Sequence, residues 1–328
     1  MTTLVIGGAG FIGLNVVERL LRHGQNVRVL DRAEIPAAAR RVFADLPGAL
    51  QIVRGDVAQA DVVRAAIDGD VRRIVLGAAI TAGQRREALD PASILAVNLD
   101  ALIPVLQAAR DARVPRIVNL SSVAAFGRRM HAGAPLTEST PCEPVSLYGI
   151  TKLASEQIGR RLAGLWGFEF INLRLSAAFG PWEQANGVRD TLSAQRQMLS
   201  LLENGTPATL SRPGLRDWVY SRDVAEAVFR VLTCAGPLPH DLYLVSSGQC
   251  WTALAWGQAL ARYHDGWQCR LADDGETASV DLHADSDRDV LDTSRFAKDL
   301  GWRASYGLEE SVRDLHAWLL AATTGTSS

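Results

Sequence analysis

The stretch GGAGFIG, residues 7–13, directly follows the apolar run LVI of residues 4–6, so a glycine-rich turn joins a predicted strand to a predicted helix. Glycine allows the positive φ of such a turn, lets a diphosphate approach the backbone, and permits close packing of the helix on the strand. The N–H groups at the start of the helix then face the phosphates. The turn predicts a dinucleotide-binding unit, although its Gly-x-x-Gly-x-x-Gly spacing differs from the commoner Gly-x-Gly-x-x-Gly.

The composition of the chain limits which binding partners and which cellular compartment we expect. The chain has 328 residues and a net charge of -2, from 34 basic and 36 acidic residues, so its global charge gives no case for nucleic acid or an anionic membrane. The four cysteines are far apart, which argues against a zinc knuckle and against a disulfide scaffold. We see no signal peptide and no apolar run that approaches the length of a membrane span. We therefore expect a soluble, cytoplasmic protein with a small-molecule partner.

Apolar runs alternate along the chain with stretches of helical periodicity, which is the pattern of repeated βαβ units. The runs show no polar alternation, which is typical of a parallel sheet covered on both faces. This rhythm predicts an α/β fold, a Rossmann-type doubly wound parallel sheet. The predicted strands are Leu4–Ile6, Val27–Leu30, Gln51–Val53, Arg73–Leu76, Arg116–Leu120 and Phe170–Leu173.

After about residue 180 the pattern loosens into helices and short strands interrupted by proline and glycine. We predict a dinucleotide-binding domain over 1–175 that carries the catalytic residues. Residues 176–320 would form a smaller mixed α/β substrate-binding region, with some segments returning to the first domain. The small and polar residues 321–328 would form a flexible tail.

Two acidic residues follow predicted strands on the cofactor side. Asp31 ends the second strand, about twenty residues after the glycine turn, where a carboxylate can accept both hydroxyls of an adenosine ribose. This favours NAD, since a 2′-phosphate would be repelled, although Arg32 could partly offset the repulsion. Asp56 and Val57, after the third strand, could contact the adenine. The alternatives are a turn-capping role for Asp31 and a helix N-cap role for Asp56.

The spacing of Tyr148 and Lys152 carries the chemistry. Residues i and i+4 share one face of a helix, so the Lys152 ammonium would lie near the Tyr148 phenol and favour its ionised form. Ser122 could hold a substrate hydroxyl, and Asn98 could support a water that links Lys152 to solvent. In isolation, Tyr-x-x-x-Lys is more often a surface tyrosine beside a surface lysine. The order of the glycine turn, acidic strand end, asparagine, serine pair and this motif reverses that judgement.

That order resembles the extended short-chain dehydrogenase/reductase family. The likeness continues through residues 173–181 (LRLSAAFGP), 215–224 (LRDWVYSRDV) and 292–302 (DTSRFAKDLGW), and covers nearly the whole chain. These later stretches are similar to the nucleotide-sugar epimerase and dehydratase branch. The resemblance implies the cofactor NAD, a sugar or sugar-nucleotide substrate, and a homodimer formed through a helix pair.

The resemblance also implies roles for individual residues. Tyr148 would be the acid–base group, Lys152 would favour the tyrosinate and bind the nicotinamide ribose, Ser122 would be the hydrogen-bonding partner, and Asn98 would support the water. Ser121 is the alternative to Ser122, which we prefer because the branch places this residue five before the glycine matched by Gly127. The implied cofactor-binding residues are Gly7, Gly10, Phe11, Ile12, Gly13, Asp31, Arg32, Asp56, Val57, Leu76, Gly77, Ala78, Ala79, Tyr148 and Lys152. The implied substrate-binding residues are Ser122, Ala177, Trp182 and Arg216, with Arg216 on a substrate phosphate.

Departures from the branch limit the choice of substrate. Ala177 stands where an asparagine commonly contacts the diphosphate, and residues 285–289 (DSDRD) replace an arginine-containing run, with Arg288 a loose substitute. Leu76 stands where the branch usually has a histidine. Val123 and Ala124 lack the Asp-Glu pair that sugar 4,6-dehydratases use to expel water, so dehydratase activity is disfavoured.

Several other residues are explained as well by a structural role as by a functional one. The six histidines form no metal-ligand spacing, and we predict no metal site. The arginine pairs at 85–86 and 128–129 could gather an acidic substrate but are more often solvated faces. Trp182 and Trp218 could line a substrate pocket or equally close the seam between domains.

Three functions remain open at this stage. The first is an NAD-dependent sugar-nucleotide epimerase that oxidises a ring carbon and returns the same hydride to the other face. The second is an NAD-dependent dehydrogenase of a free sugar, a sugar acid or a related hydroxy compound, suggested by the missing anchors. The third is a non-catalytic NAD(H)-sensing protein, which the intact Ser122, Tyr148 and Lys152 disfavour.

Overall fold

A computed structural model describes residues 1–131, 133–185, 187–283 and 286–324. Its strands are β1 Thr2–Ile6, β2 Asn26–Asp31, β3 Leu50–Arg54, β4 Val71–Leu76, β5 Arg116–Ser122, β6 Glu169–Leu175, β7 Ala177–Phe179, β8 Ala208–Leu210, β9 Leu215–Tyr220, β10 Leu242–Val245, β11 Cys250–Thr252 and β12 Cys269–Leu271. Its α-helices are α1 Phe11–Arg22, α2 Ala37–Ala44, α3 Ala60–Ala66, α4 Gln84–Leu89, α5 Pro91–Leu95, α6 Leu102–Asp111, α7 Leu147–Trp166, α8 Ala194–Glu203, α9 Ser221–Thr233, α10 Ala253–Ala261, α11 Ser294–Leu300 and α12 Leu308–Thr324.

Seven strands form one parallel sheet in the order β10-β6-β5-β4-β1-β2-β3. All six predicted strands lie in it, so the predicted Rossmann-type sheet is confirmed. The chain order reverses between β1 and β4, and ligands of such sheets bind at the carboxyl ends of the strands beside this switch point. The glycine turn leaves β1 at this place.

Helix α1 forms as its apolar stripe predicts. Leu14, Val17 and Leu21 are buried against the sheet and against α9. The helix ends where Gly24 adopts a positive φ of 66° and donates its N–H to the Leu21 carbonyl, which is a common glycine termination. The packing fixes the N-terminus of α1 at the switch point.

The C-terminal part forms a smaller mixed region, as predicted. It contains a three-stranded sheet, β11-β9-β7, and a parallel pair, β12-β8, around a second core that includes Trp218, Trp251 and Trp256. Two segments return to the first domain, since α9 packs on α1 and β10 extends the large sheet beside β6. Helix α12 continues to Thr324, beyond the predicted start of a tail at 321, and residues 325–328 lie outside the described residues.

One continuous helical stretch, Pro91–Asp111, includes α5, a π-helical turn at Ala96–Asp100, and α6. Its 21 residues are long and apolar enough to cross a membrane, which corrects the expectation that no apolar run approaches this length. Ile94, Leu102 and Leu106 are buried, as in a core helix of a folded domain. Packing therefore accounts for part of the apolar composition, since 39% of the apolar window is buried.

Candidate active site

The glycine turn is shaped by close contacts on both sides. Gly7 has a φ of 81°, and a Cβ there would lie 2.4 Å from the Ala78 nitrogen, while a Cβ on Gly13 would lie 2.1 Å from the Gly7 oxygen. Gly10 precedes α1, whose first turn has neither a side-chain cap nor an acidic residue. The first N–H groups of a helix have no acceptor within it, so this end is suited to an anion.

Asp31 holds the glycine turn and its own turn together. Its Oδ2 accepts the Ala9 N–H at 2.9 Å, and its Oδ1 accepts the Ala33 N–H at 2.9 Å. The turn-capping interpretation is thus part of the structure, yet each carboxylate oxygen keeps a lone pair for a ribose hydroxyl. Arg32 is largely exposed and lies 3.7 Å from Asp56.

The next predicted cofactor residues lie on neighbouring strand ends. Asp56 accepts the Ala58 N–H at 2.9 Å and closes the turn before α3, whose N-cap is Gln59, so the N-cap interpretation of Asp56 is wrong. Leu76 ends β4, and the Gly77 N–H donates to the Ile6 carbonyl at 2.8 Å. The remaining members of the set, Ile12, Val57, Ala78 and Ala79, are half-buried around the same edge, and Phe11 is buried.

Tyr148 and Lys152 lie on the same face of α7, above the carboxyl end of β5. The Lys152 Nζ lies 5.6 Å from the centroid of the Tyr148 ring and donates to the Leu120 carbonyl at 2.7 Å. Lys152 is buried and Tyr148 is half-buried. A Cβ on Gly149 would lie 2.4 Å from the Ala124 oxygen, so this glycine lets α7 approach the turn after β5.

Ser121 and Ser122 point to different surroundings because side chains alternate along a strand. Ser121 is buried and its hydroxyl donates to Glu156. Ser122 is half-buried at the end of β5, and its Oγ accepts the Ala124 N–H at 3.1 Å. Ser121 has a structural partner, which favours Ser122 as the residue that meets a ligand.

Asn98 lies in the π-helical turn and is buried. Its Oδ1 accepts the Ile80 N–H at 2.8 Å, and its Nδ2 donates to the Ile80 carbonyl at 3.0 Å and to Thr151 Oγ1 at 3.3 Å. Thr151 Oγ1 in turn donates to the Tyr148 carbonyl at 2.9 Å. One amide hydrogen of Asn98 therefore links it to α7 through Thr151 and the other holds the loop after β4 at Ile80, and its support of a water beside Lys152 stays a prediction.

A buried ion pair fixes the same helix against the sheet. Arg174 on β6 donates to Glu156 on α7 through Nε at 2.9 Å and Nη2 at 2.6 Å. The side chains are 4% and 2% exposed. Together with Ser121 on β5, the pair joins three elements beneath Tyr148.

Arg216 lies in a cluster of three arginines in the C-terminal region. It is buried, its Nη2 donates to the Leu282 carbonyl, and its Nε has no hydrogen-bond partner in the described residues. Burial and the nearby charges of Arg288 and Arg212 lower the pKa of Arg216 to about 9. Arg288 comes close because its N–H donates to the Leu215 carbonyl at 3.2 Å, and its own Nε is also without a partner in the described chain.

Two tryptophans, Trp182 and Trp218, are buried in the hydrophobic cores. Trp182 is 4% exposed, donates from Nε1 to Glu18 at 2.8 Å, and contacts Trp318 edge-on at 5.1 Å. Its ring and its N–H are both used between α1 and α12, which favours the packing interpretation, and its contact with substrate stays a prediction. Trp218 is likewise buried and stacks on Trp251. Ala177, by contrast, is half-buried at the start of β7.

In each of the two arginine pairs, 85–86 and 128–129, one arginine forms an ion pair and the other is exposed to solvent. Arg86 pairs with Asp190, whereas Arg129 pairs with Glu143 at 2.5 Å. Arg85 and Arg128 are exposed. The link between Arg86 and Asp190 joins the two parts of the chain and was missed by sequence reasoning, because no local pattern signals a pair 104 residues apart.

The sequence profile of the NAD dependent epimerase/dehydratase family matches residues 3–244. The chain belongs to this family. The dTDP-glucose 4,6-dehydratase of Xanthomonas campestris pv. campestris strain B100 is 26% identical, over 98% of this chain and 94% of that protein. The UDP-glucose 4-epimerase of Bacillus subtilis is 27% identical, over 100% of this chain and 99% of that protein.

Solved structures show the same fold. The UDP-glucose 4-epimerase of Bifidobacterium longum, solved with NAD+ and UDP, superposes with a TM-score of 0.83 at 22% identity, over 99% of this chain and 100% of that one. At this identity the likeness concerns the fold.

NAD is the cofactor of this epimerase/dehydratase family, and the residues present fit it. The cradle that a Cβ would fill at Gly7 and Gly13, the uncapped start of α1 and the Asp31 carboxylate would hold its diphosphate and adenosine ribose. When bound, the nicotinamide supplies an acceptor and donor of hydride. Tyr148 and Lys152 lie at the other end of this crevice, beyond the ends of β4 and β5.

Proposed function

We propose that the protein is an NAD-dependent epimerase of a sugar nucleotide, in which Tyr148, Lys152 and Ser122 carry the chemistry. The family match and the relatives that act on dTDP- and UDP-sugars support this class. Epimerisation is our choice within the class because the chain has a buried anchor for a diphosphate and lacks ionisable groups directly after Ser122.

The observation that carries the proposal is the arginine cluster at Arg216. Two buried guanidinium Nε atoms, on Arg216 and Arg288, lack partners in the described part of the protein. Like charges held close in a buried place are costly unless an anion joins them. A nucleotide diphosphate supplies two negative groups and accepts the paired hydrogen bonds that arginine donates. A free sugar would leave these groups unsatisfied.

Tyr148 is suited to take and return the proton of a ring hydroxyl. The buried Lys152 cation lies 5.6 Å from the centroid of its ring, so a positive charge stands beside the phenol that would exchange the proton. Ser122 would donate to the same substrate oxygen and orient it. Asn98 and Thr151 hold the helix that carries both groups, so the distance between phenol and ammonium is set before substrate binds.

Sugar 4,6-elimination would need an acid near the departing hydroxyl. Val123 is buried and Ala124 carries only a methyl group, so the turn after Ser122 supplies no such acid. We therefore propose that this chain is not a dehydratase, although dTDP-glucose 4,6-dehydratases are among its relatives. Detection of a 4-keto-6-deoxy product would contradict this.

Ala177 favours one alternative, a dehydrogenase of a free sugar, sugar acid or related hydroxy compound. An alanine on β7 offers no amide to a diphosphate, so the anchor is weaker than a cluster supported by asparagine. A dehydrogenase would release NADH in each turnover, whereas an epimerase has no net redox change.

One pair of measurements separates these functions. The purified protein is denatured and the supernatant is assayed for NAD, and the native protein is incubated with a panel of UDP- and dTDP-sugars and followed by NMR. Stoichiometric NAD and a new ring epimer support the proposal. NADH accumulation with a free sugar or sugar acid, and no epimer from any sugar nucleotide, would overturn it.

A further inference from the structure

Residues 187–190 of the C-terminal region cross to the dinucleotide-binding domain, and we call them the clasp. The Thr81 N–H donates to the Val188 carbonyl at 2.9 Å, and the Asp190 N–H donates to the Thr81 carbonyl at 3.0 Å. These two bonds pair the clasp with the loop that follows β4. The same loop begins with Gly77 and Ala78, which contact the glycine turn.

A side-chain pair strengthens this attachment. Arg86 donates to Asp190 through Nε at 2.9 Å and Nη2 at 2.6 Å, and also to the Gly187 carbonyl at 2.7 Å. The Gly83 N–H donates to the same carboxylate at 3.1 Å. Each member of the ion pair is 25% exposed, and a paired geometry of this kind is among the stronger ion pairs. The clasp is thus fixed at several points.

The clasp places Arg189 over the start of α1. Its guanidinium carbon lies 5.2 Å from the centroid of the Phe11 ring, and Phe11 is the first residue of that helix. Glu183 accepts from Nε at 3.0 Å and from Nη2 at 2.9 Å. Within the described residues, no protein acceptor meets the Nη1 of Arg189, whose side chain is 20% exposed.

We propose that Arg189 is a cofactor-binding residue whose guanidinium binds the diphosphate of NAD, and that the clasp holds it there. The proposal rests on NAD binding at the glycine turn. The diphosphate of a dinucleotide lies at the N-terminus of the helix after this turn, and Arg189 meets the same helix end through Phe11. Arg189 adds a side-chain charge to the backbone N–H groups of the helix end.

Glu183 does not cancel this role. Its carboxylate is 1% exposed and also accepts the N–H and the hydroxyl of Ser193, so its charge is shared among three partners. The pair with Glu183 aligns the guanidinium and leaves one nitrogen free for the phosphate. The sugar-nucleotide diphosphate has its own cluster at Arg216, so Arg189 is assigned to the cofactor.

The test measures binding to the cofactor-free protein by calorimetry, with NAD, ADP-ribose and UDP as probes. ADP-ribose keeps the diphosphate and lacks nicotinamide. Arg189→Gln should weaken NAD and ADP-ribose by about ten- to a hundredfold, the range for one charged hydrogen-bonding group, and leave UDP within about twofold. Arg189→Lys should recover part of the affinity, since it restores the charge without the planar fork.

The matched control is Arg85→Gln, which removes the same charge from an exposed arginine next to the clasp partner Arg86. It should leave all three affinities unchanged.

Asp190→Asn, which breaks the attachment and keeps Arg189, should speed the release of NADH in stopped-flow fluorescence by several fold. Unchanged NAD and ADP-ribose affinity in Arg189→Gln, or a loss confined to UDP, would overturn the proposal.

Two further measurements keep the result interpretable. Arg189→Gln leaves Glu183 as a buried charge and can therefore unfold the protein. The double variant Glu183→Gln, Arg189→Gln removes both charges. The double variant should show the same loss of NAD affinity. Failure of the wild-type protein to bind NAD would contradict the cofactor assignment itself. Normal NAD binding without epimerase activity would contradict the proposed function alone, and the effect of Arg189→Gln would still decide this inference.

Discussion

Replacing Arg216 with methionine should stabilise the ligand-free protein while weakening its hold on a nucleotide diphosphate. Burial, Arg288 and Arg212 lower the pKa of Arg216 from 12.5 to about 9. At about 1.4 kcal/mol per pH unit, keeping the charge costs about 5 kcal/mol. Methionine retains much of the length and apolar volume and carries no charge.

The arginine also makes favourable contacts that methionine loses. These are the hydrogen bond to the Leu282 carbonyl and the contact with the Trp218 ring, whose centroid lies 5.3 Å from the guanidinium carbon. Together they contribute about 2 to 4 kcal/mol. The free energy of unfolding of Arg216→Met should therefore rise by about 1 to 3 kcal/mol when no anion is present.

Urea unfolding with and without UDP measures both effects. UDP should stabilise the wild-type protein and stabilise the variant less, because loss of a charged hydrogen-bonding group weakens affinity by about ten- to a hundredfold. Arg270→Met, which removes an exposed arginine paired with Glu276, is the control and should change neither quantity appreciably. A ligand-free variant less stable than wild type, or one that UDP stabilises fully, would refute the reasoning and make Arg216 a structural residue.

Three other outcomes are expected. Tyr148→Phe should abolish turnover and leave NAD affinity within about twofold by calorimetry, since it removes only the hydroxyl; substantial retained activity would sink the acid–base role. Arg174→Met should lower the free energy of unfolding by about 3 to 5 kcal/mol, because it leaves Glu156 buried without its cation, and adding Glu156→Gln should restore most of the loss; equal losses in the single and double variants would contradict this. Burial raises the pKa of Asp223 from 3.8 to about 6, so the folded chain binds a proton that the unfolded chain has released, and the stability contributed by this group falls as pH rises through this range. The cost of Asp223→Asn in urea unfolding should thus be about 2 kcal/mol smaller at pH 7 than at pH 4, and a cost independent of pH would count against the shift.

The strands were predictable where burial on both faces leaves a continuous apolar run. Strands β1, β2, β5 and β6 have this character, whereas the edge strand β3 is partly exposed; the predicted runs of all six strands fall inside the observed bounds. Strand β10 was not predicted, because its four residues lie in a stretch broken by proline and glycine, and its place depends on pairing with β6, whose partner residues lie far back in the chain. A pairing partner so distant leaves no local signal.

Site residues were also predictable where local spacing determines their position, and not where distant segments determine it. The spacing of Tyr148 and Lys152 is a property of one helix, and the structure places the ammonium beside the ring. The environment of Trp182 depends on α1 and α12, which lie far from it in sequence, so the sequence alone could not choose between packing and contact with substrate. Local periodicity therefore predicted the site residues that lie together on one helix. The surroundings of the other site residues depend on contacts between distant segments, which local periodicity does not show.

The position of β10 at the edge of the large sheet also affects how the chain can be made. Until residues 242–245 have left the ribosome, β6 has no neighbour on that side, and until α9 has emerged α1 lacks its cover. A nascent chain that ends at residue 175 would expose an unpaired strand edge and an apolar helix face, both of which promote aggregation. The seven-stranded sheet and its helices therefore cannot be completed during synthesis before most of the C-terminal part exists. If the chain is divided into two fragments after residue 175, both fragments should have to be produced together for either to remain in solution.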